Sequence, residues 1–324
     1  MTAPLLDIQG LETHLHTPQG VARAVNKVDL RLDARETVGV VGESGCGKTM
    51  LALSILRLVP DPPAKIVGGS ALFKGRDLLA LPESAMRAVR GNQISMIFQE
   101  PMTSLNPVFP VGEQVAEAIR LHRRLPEREA LAATAELFHL VGIPNAAQRL
   151  KSYPHEFSGG MRQRVVIAMA LACDPDLILA DEPTTALDVT IQAQILRLML
   201  DLQERKGAAI LLITHDLGVV AQTCSRAVVM YTGHIVESAA VGPLFADPLH
   251  PYTQGLLHSL PRVPAPGQPH AALTPIAGVV PSLAALPSGC SFHPRCPQAF
   301  DRCRAETPPL VTRGDRSVRC WLHA

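Results

Sequence analysis

The sequence predicts an α/β protein built on a mainly parallel sheet with helices on both faces, followed by an extension of different texture. Three observations predict it. Residues 37–41, 177–180 and 209–213 are short, continuous apolar runs, the pattern of strands buried on both faces. Segments with helical character, 50–58 and 189–204, alternate with them. Beyond Leu260 the composition changes: seven prolines fall between Pro261 and Pro287, and four cysteines crowd the region that follows.

In chain order, residues 5–41 read as short strands; Val28, Leu30 and Leu32 alternate with Asp29 and Arg31 as on a half-buried strand. A glycine-rich turn leads from the run at 37–41 into the helix at 50–58. Residues 95–98 form another short strand, and 111–172, rich in Ala, Leu, Glu and Arg at helical spacing, read as a helical insertion. The prolines of 261–287 predict an extended strap. The expected organisation is one domain over 1–258, with a helical subdomain at about 101–172, and a Pro-rich extension over 259–324. No internal repeat is visible.

Of the 324 residues, 47% are apolar and 18% charged, ordinary for a globular protein with a good core. A net charge of +1 argues against a nucleic-acid surface, and 4% aromatic residues argue against a base-stacking platform. No run reaches the roughly 18 uncharged apolar residues that cross a bilayer. Met1–Asp7 lacks the basic region and apolar block of a signal peptide. Any membrane role is therefore expected to be peripheral, through a partner.

Gly42-Glu43-Ser44-Gly45-Cys46-Gly47-Lys48-Thr49 fits the P-loop pattern and lies between a strand and a helix, as that pattern requires. Its glycines let backbone N–H groups curl around phosphate oxygens, and the helix start adds partial positive charge. Lys48 is placed to reach the β- and γ-phosphates, and the Thr49 hydroxyl to ligate Mg²⁺. The run at 177–180 ends in Asp181-Glu182. Asp181 is placed to hold Mg²⁺, directly or through water, and Glu182 to polarise an attacking water as general base. Both patterns belong to nucleoside-triphosphate hydrolases at large.

The discriminating segment is Phe157-Ser158-Gly159-Gly160-Met161-Arg162-Gln163, which opens a helix with the apolar face Val165, Ala168, Met169 and Ala172. Ser158 stands as an N-cap, and Gly159 and Gly160 expose backbone N–H groups beside it, a second phosphate-binding helix start. Here the chain resembles the ABC ATPase family, whose signature LSGGQ is written FSGGM. The resemblance implies a parallel core sheet with an N-terminal antiparallel β subdomain, a helical insertion, and ATP sandwiched between two subunits, the signature of one completing the site of the other. It implies that Gln99 is the Q-loop glutamine sensing Mg²⁺ and the γ-phosphate, and that Ala186-Leu187-Asp188 is the D-loop, with Asp188 facing the partner. His215, after the strand at 209–213, matches the switch histidine. Lys48, Glu182 and His215 are thus the expected catalytic residues, ATP and Mg²⁺ the expected cofactors, and Thr49, Gln99 and Asp181 the Mg²⁺ ligands. The resemblance covers about residues 5–260. Two positions depart from it. Met161 replaces the signature glutamine and loses a side-chain hydrogen bond to nucleotide. No Phe, Tyr or Trp lies between Leu11 and Val28, where the family stacks adenine, which leaves His16 or the stem of Arg23 as substitutes.

Gln99-Glu100-Pro101-Met102-Thr103-Ser104-Leu105-Asn106-Pro107 and Gly159-Gly160-Met161-Arg162-Gln163-Arg164 resemble the peptide and nickel importer branch of that family. In that branch the Q-loop and helical insertion form a groove for a short permease helix. His250-Pro251-Tyr252-Thr253 also resembles it, with a plain turn as the alternative. Residues 276–283 and 289–297 resemble the C-terminal extension of di- and oligopeptide transporter ATPases, which favours peptide over nickel or glutathione. The cysteines Cys290, Cys296, Cys303 and Cys320 have five, six and sixteen residues between them, which is no zinc-finger spacing. The resemblance favours a [4Fe–4S] cluster there, with Zn²⁺ or four reduced structural thiols as alternatives. The implied partners are two transmembrane permease subunits, an extracytoplasmic solute-binding protein and a second ABC ATPase subunit, a heterodimer rather than a homodimer, with no nucleic acid. The implied location is the cytoplasmic face of the inner membrane. A non-transport ABC ATPase typically carries two cassettes or a long coiled coil, and neither is present; a P-loop kinase or GTPase leaves Ser158-Gly159-Gly160 and His215 together unexplained.

Overall fold

The computed structural model describes residues 3–99, 104–184, 188–260 and 275–324. The chain forms two compact units, one of Leu6–Arg31, Val38–Leu79 and Thr214–Ala324, the other of Met1–Leu5, Leu32–Thr37 and Ala80–Ile213.

In the first unit β1 (Leu6–Thr17) and β2 (Gly20–Leu32) are joined by a two-residue turn, and with β4 (Ala64–Phe73) and β5 (Arg76–Asp77) they make a sheet in the order β2-β1-β4-β5. β1 and β4 run antiparallel, Leu6 opposite Phe73, with a bulge where Gln9 gives way to Glu12. Beside it, β3 (Thr37–Val41) runs parallel to β9 (Arg226–Tyr231), and β9 antiparallel to β10 (His234–Ala240). The helix α1 (Lys48–Ile55) follows β3 through the glycine-rich turn.

The tail is more than a strap. Residues 261–274 of the expected strap lie outside the described residues, and 275–292 are irregular. The chain then adds two strands, β11 (Val311–Arg313) and β12 (Arg316–Val318), with β12 pairing antiparallel to β10 at Glu237–Val318. Phe292 is 2% exposed and packs between Tyr231 and Tyr252, ring centroids 5.3 and 5.4 Å away. A tail with little core of its own thus shares the core of the unit it closes; burying such a ring contributes about 1.5–3 kcal/mol.

In the second unit β6 (Ile94–Ile97), β7 (Leu177–Asp181) and β8 (Ala209–Thr214) are parallel with β7 central, Ser95 beside Ile178 and Ile178 beside Ile210. β7 and β8 are buried throughout, as their continuous apolar sequences require. The helix α2 (Glu83–Val89) precedes β6. Helices α3 (Val111–Arg123), α4 (Glu127–Leu140), α5 (Ala146–Arg149) and α6 (Gly159–Leu171) occupy the segment read as a helical insertion. α3 turns Val111, Val115, Ala116 and Ile119 inward, and Arg120, His122 and Arg123 in its last turn suit the negative end of the helix dipole. α7 (Val189–Lys206) connects β7 to β8 and ends at Gly207 in the left-handed conformation.

Candidate functional site

The phosphate loop is positioned by β3, whose five residues are all buried and which delivers residues 42–49 to the start of α1. Gly47 has φ 107°, and a Cβ there would lie 2.0 Å from the Ala24 carbonyl oxygen, so only glycine fits. The Lys48 side chain is nearly enclosed: the residue is 6% exposed. Its Nζ donates to the Gly42 oxygen at 2.8 Å and the Glu43 oxygen at 3.1 Å, and lies 3.8 Å from Cys46 Sγ. Among the described residues no carboxylate pairs with it. A buried ammonium held by carbonyl dipoles, at a helix start, is a place for an anion, and a polyphosphate fits it. Ser44, Gly45 and Thr49 are exposed along the same loop, open to a ligand. Cys46 is fully buried, and burial pushes its thiol pKa up, so it serves as a small packing residue.

The second unit carries the carboxylates. Asp181 is the last residue of β7 and 2% exposed. Glu182 leaves the strand with φ 46°, its N–H donating to the Ile213 oxygen at 2.8 Å. A left-handed non-glycine costs about 1–3 kcal/mol and is tolerated where function needs the side chain aimed. Gln99, two residues beyond β6, donates from Nε2 to Glu182 Oε2 at 3.1 Å. Two expected site residues 83 positions apart are thus brought together. Asp181 and Gln99 offer hard oxygen donors of the kind that suits Mg²⁺.

Ser158 caps α6, its Oγ accepting from Met161 N at 3.4 Å, which leaves Gly159 and Gly160 in the open first turn. Asp188 caps α7 in the same way, accepting from Ile191 N at 2.9 Å. The D-loop residues Ala186 and Leu187, and Glu100 to Thr103 of the Q-loop, lie outside the described residues.

His215 is exposed and follows the last residue of β8. The next residue, Asp216, caps the helix α8 (Leu217–Thr223) through Gly218 N at 2.8 Å and Val219 N at 3.2 Å, fixing the backbone that presents the imidazole. His16 is exposed at the end of β1. Arg23 lines a cavity of about 380 Å³ with Asn26, His234, Arg319 and the tail residue Leu283.

Sequence reasoning left His250-Pro251-Tyr252-Thr253 without a physical role. His250 caps α9 (Pro251–His258), its Nδ1 accepting from Tyr252 N at 3.0 Å, and complete burial lowers its pKa to about 3. The Tyr252 hydroxyl accepts from the Glu43 N–H at 2.9 Å. The motif therefore supports the phosphate loop from behind, a contact across 209 residues that no local pattern announces.

The four cysteines expected to hold a metal come from separate stretches of the tail. Cys290, Cys296, Cys303 and Cys320 line one enclosed cavity of about 10 Å³, beside Phe292 and Trp321. Among the described residues, however, no group of three or more His, Cys, Asp or Glu is placed to hold a metal ion. Burial raises the pKa of Cys290 and Cys296, and that of Cys320 to about 11.

Residues 25–185 match the ABC transporter family. Residues 236–303 match the oligopeptide/dipeptide transporter C-terminal region. The chain is 55% identical to a probable peptide ABC transporter ATP-binding protein of Sinorhizobium fredii, over 98% of this chain and 94% of the relative. It is 49% identical to the oligopeptide transport ATP-binding protein AppD of Bacillus subtilis, over 98% and 97%. The chain belongs to the ATP-binding subunits of the oligopeptide/dipeptide ABC transporter family. Among solved structures, this ABC ATPase is similar to the ATP-binding cassette MJ0796 in its dimeric post-hydrolysis state bound to ADP and Pi, with TM-score 0.65, 25% identity, and coverage of 73% of this chain and 98% of that one. Its activity is ATP hydrolysis coupled to transport. Among the described residues no helix is long and apolar enough to cross a membrane.

Proposed function

We propose that this ABC ATPase drives the import of di- or oligopeptides. The observation that carries the reading is the tail: its match to the oligopeptide/dipeptide transporter C-terminal region accompanies a full-length likeness to peptide transport ATPases. The protein works at the cytoplasmic face of the membrane, peripherally, with two permease subunits, an external solute-binding protein and a second, different ATPase subunit. Val108 and Phe109, just past the Q-loop, are 70% and 55% exposed and supply an apolar landing for a permease helix. The catalytic domain spans 1–258, with the helical subdomain at about 101–172, and 259–324 is a Pro-rich C-terminal extension.

In this reading the loop 42–49 cradles the phosphates and Lys48 pairs with them. Thr49, Gln99 and Asp181 hold Mg²⁺, which when bound neutralises charge on the β- and γ-phosphates. Glu182, oriented by the Gln99 amide, takes the proton of the attacking water, and His215 contacts the γ-phosphate. Ser158, Gly159, Gly160 and Asp188 complete the site of the partner subunit. The four tail cysteines, which line one cavity, hold an iron–sulfur cluster or zinc in the assembled transporter.

The test is reconstitution of the ATPase with its permease and binding protein in vesicles. Peptide-loaded binding protein is expected to stimulate ATP hydrolysis several-fold, with peptide accumulating inside. Stimulation by a nickel or glutathione complex instead would move the substrate and leave the ATPase standing. Iron and zinc analysis of anaerobically purified complex tests the tail; metal-free protein of full activity ends the metal reading.

A further inference from the structure

The loop 42–49 is gripped by the tail. The carboxylate of Glu43, the loop's second residue, receives both arms of the Arg295 guanidinium: Nη1 donates to Oε2 at 2.7 Å and Nη2 to Oε1 at 3.0 Å. Two parallel bonds of this kind fix direction as well as distance. The Arg295 side chain is 4% exposed, and that of Glu43 29%. The rest of the guanidinium is anchored. Its Nε donates to the Ala277 oxygen at 3.0 Å, Nη1 reaches the Tyr231 hydroxyl at 3.5 Å, and the group lies 5.9 Å from the Tyr231 ring centre. Arg295 sits in a short 3₁₀ turn, His293–Arg295, between Cys290 and Cys296.

Glu43 is therefore held three ways: its carboxylate by Arg295, its N–H by the Tyr252 hydroxyl, and its carbonyl oxygen by Lys48 Nζ. An acidic residue on a loop that must receive a polyphosphate is an electrostatic liability, since a bare carboxylate there repels the ligand. A buried guanidinium bonded to both of its oxygens cancels that charge and fixes the curvature of the loop.

We propose that Arg295 is a positioning residue for ATP hydrolysis, through which the C-terminal tail sets the shape and charge of the phosphate-binding loop. This rests on reading residues 42–49 as that loop. The tail is thereby part of the catalytic machinery of its own subunit.

The experiment measures KM for ATP and kcat for full-length wild type, Arg295→Met, Glu43→Gln and the double variant, with thermal unfolding of each nucleotide-free chain. Arg295→Met keeps the aliphatic stem and removes the fork. It is expected to raise KM about tenfold with kcat changed less than about threefold, because cradle geometry and the exposed charge act on binding. Adding Glu43→Gln removes the bared carboxylate and is expected to recover at least about threefold of the rise in KM, the share that comes from charge, a rescue that a merely structural role does not give. Unchanged KM in a folded Arg295→Met chain overturns the proposal, as does a double variant no better than Arg295→Met alone. Should Arg295→Met fail to fold, Arg295→Lys carries the test: it keeps the charge and loses the two-armed fork, so a KM raised about threefold or more supports the proposal and an unchanged KM overturns it. Lys48→Ala, measured in parallel, separates the premises, since unchanged ATP affinity in that variant removes the loop assignment itself.

Discussion

Glu182 and Gln99 show how one residue prepares another. The amide at 3.1 Å from Glu182 Oε2 donates a single hydrogen bond and leaves the carboxylate able to accept a proton from water. Glu182→Gln keeps that side-chain shape and removes the base. The variant is expected to bind ATP as tightly as wild type while hydrolysis falls about 10²- to 10⁴-fold, with the ATP-bound dimer persisting on a sizing column. Hydrolysis at the wild-type rate would take the base role away from Glu182. His250 gives a residue-scale prediction of another kind. Its folded pKa is about 3 against an ordinary 6.5, so above pH 6.5 it is neutral in both states and contributes no pH dependence. As pH falls below 6.5 the unfolded chain gains a proton that the folded chain refuses, and stability drops by up to roughly 1.4 kcal/mol per pH unit toward pH 3. His234, lowered to about 4, acts in the same sense. His250→Asn retains a capping side chain and cannot titrate. Its urea midpoint is expected to lose less than the wild type's between pH 6 and pH 4, and equal losses would clear His250 of the effect. At this scale the sequence was readable where chemistry depends on spacing, as in Lys48, Thr49, Asp181 and Glu182. It was silent on Tyr252 and Arg295, whose partner Glu43 lies 209 and 252 positions away.

The elements show the same division. Strands β3, β7 and β8 were legible because burial on both faces leaves only apolar residues. β1 and β2 read as several short strands, yet they are 12 and 13 residues long; the bulge at Gln9–Glu12 interrupts the alternation that would have joined the first. β4 went unread because Gly68 and Gly69 sit in its middle, and its burial alternates only in part. β11 and β12, three residues each, carry no periodicity and exist through pairing, β12 with β10 and β11 with β12. Helix packing sets a test at the signature. A Cβ on Gly160 would lie 2.7 Å from Ile191 Cγ2, so the first turns of α6 and α7 touch where only glycine fits. Gly160→Ala is expected to cost about 1–3 kcal/mol in thermal or urea unfolding, and Ile191→Ala in the same chain to recover most of it. Losses that simply add would show that this contact does not set the helix spacing.

On the scale of the whole molecule, the tail was legible as a distinct module and illegible as a structural member. Composition announced a strap and a cysteine cluster; it did not announce that Phe292 completes an aromatic core with Tyr231 and Tyr252, or that Arg316 reaches the buried Glu237 carboxylate at 3.3 Å. Nor did it announce that Glu237 accepts from Leu249 N and His250 N, both at 2.8 Å, tying β10 to the helix that carries Tyr252. Such ties need three-dimensional closure before any of their members has a partner.

The pairing of β12 with β10 has one more consequence. The far side of β10, left bare, would present a row of open N–H and C=O groups, a template on which another chain can polymerise. β12 pairs with the middle of that row, at Glu237 and Ser238, and β11 becomes the outermost strand, three residues long with Thr312 and Arg313 exposed. A strand so short and charged recruits no neighbour. The extension is also this enzyme's guard against aggregation.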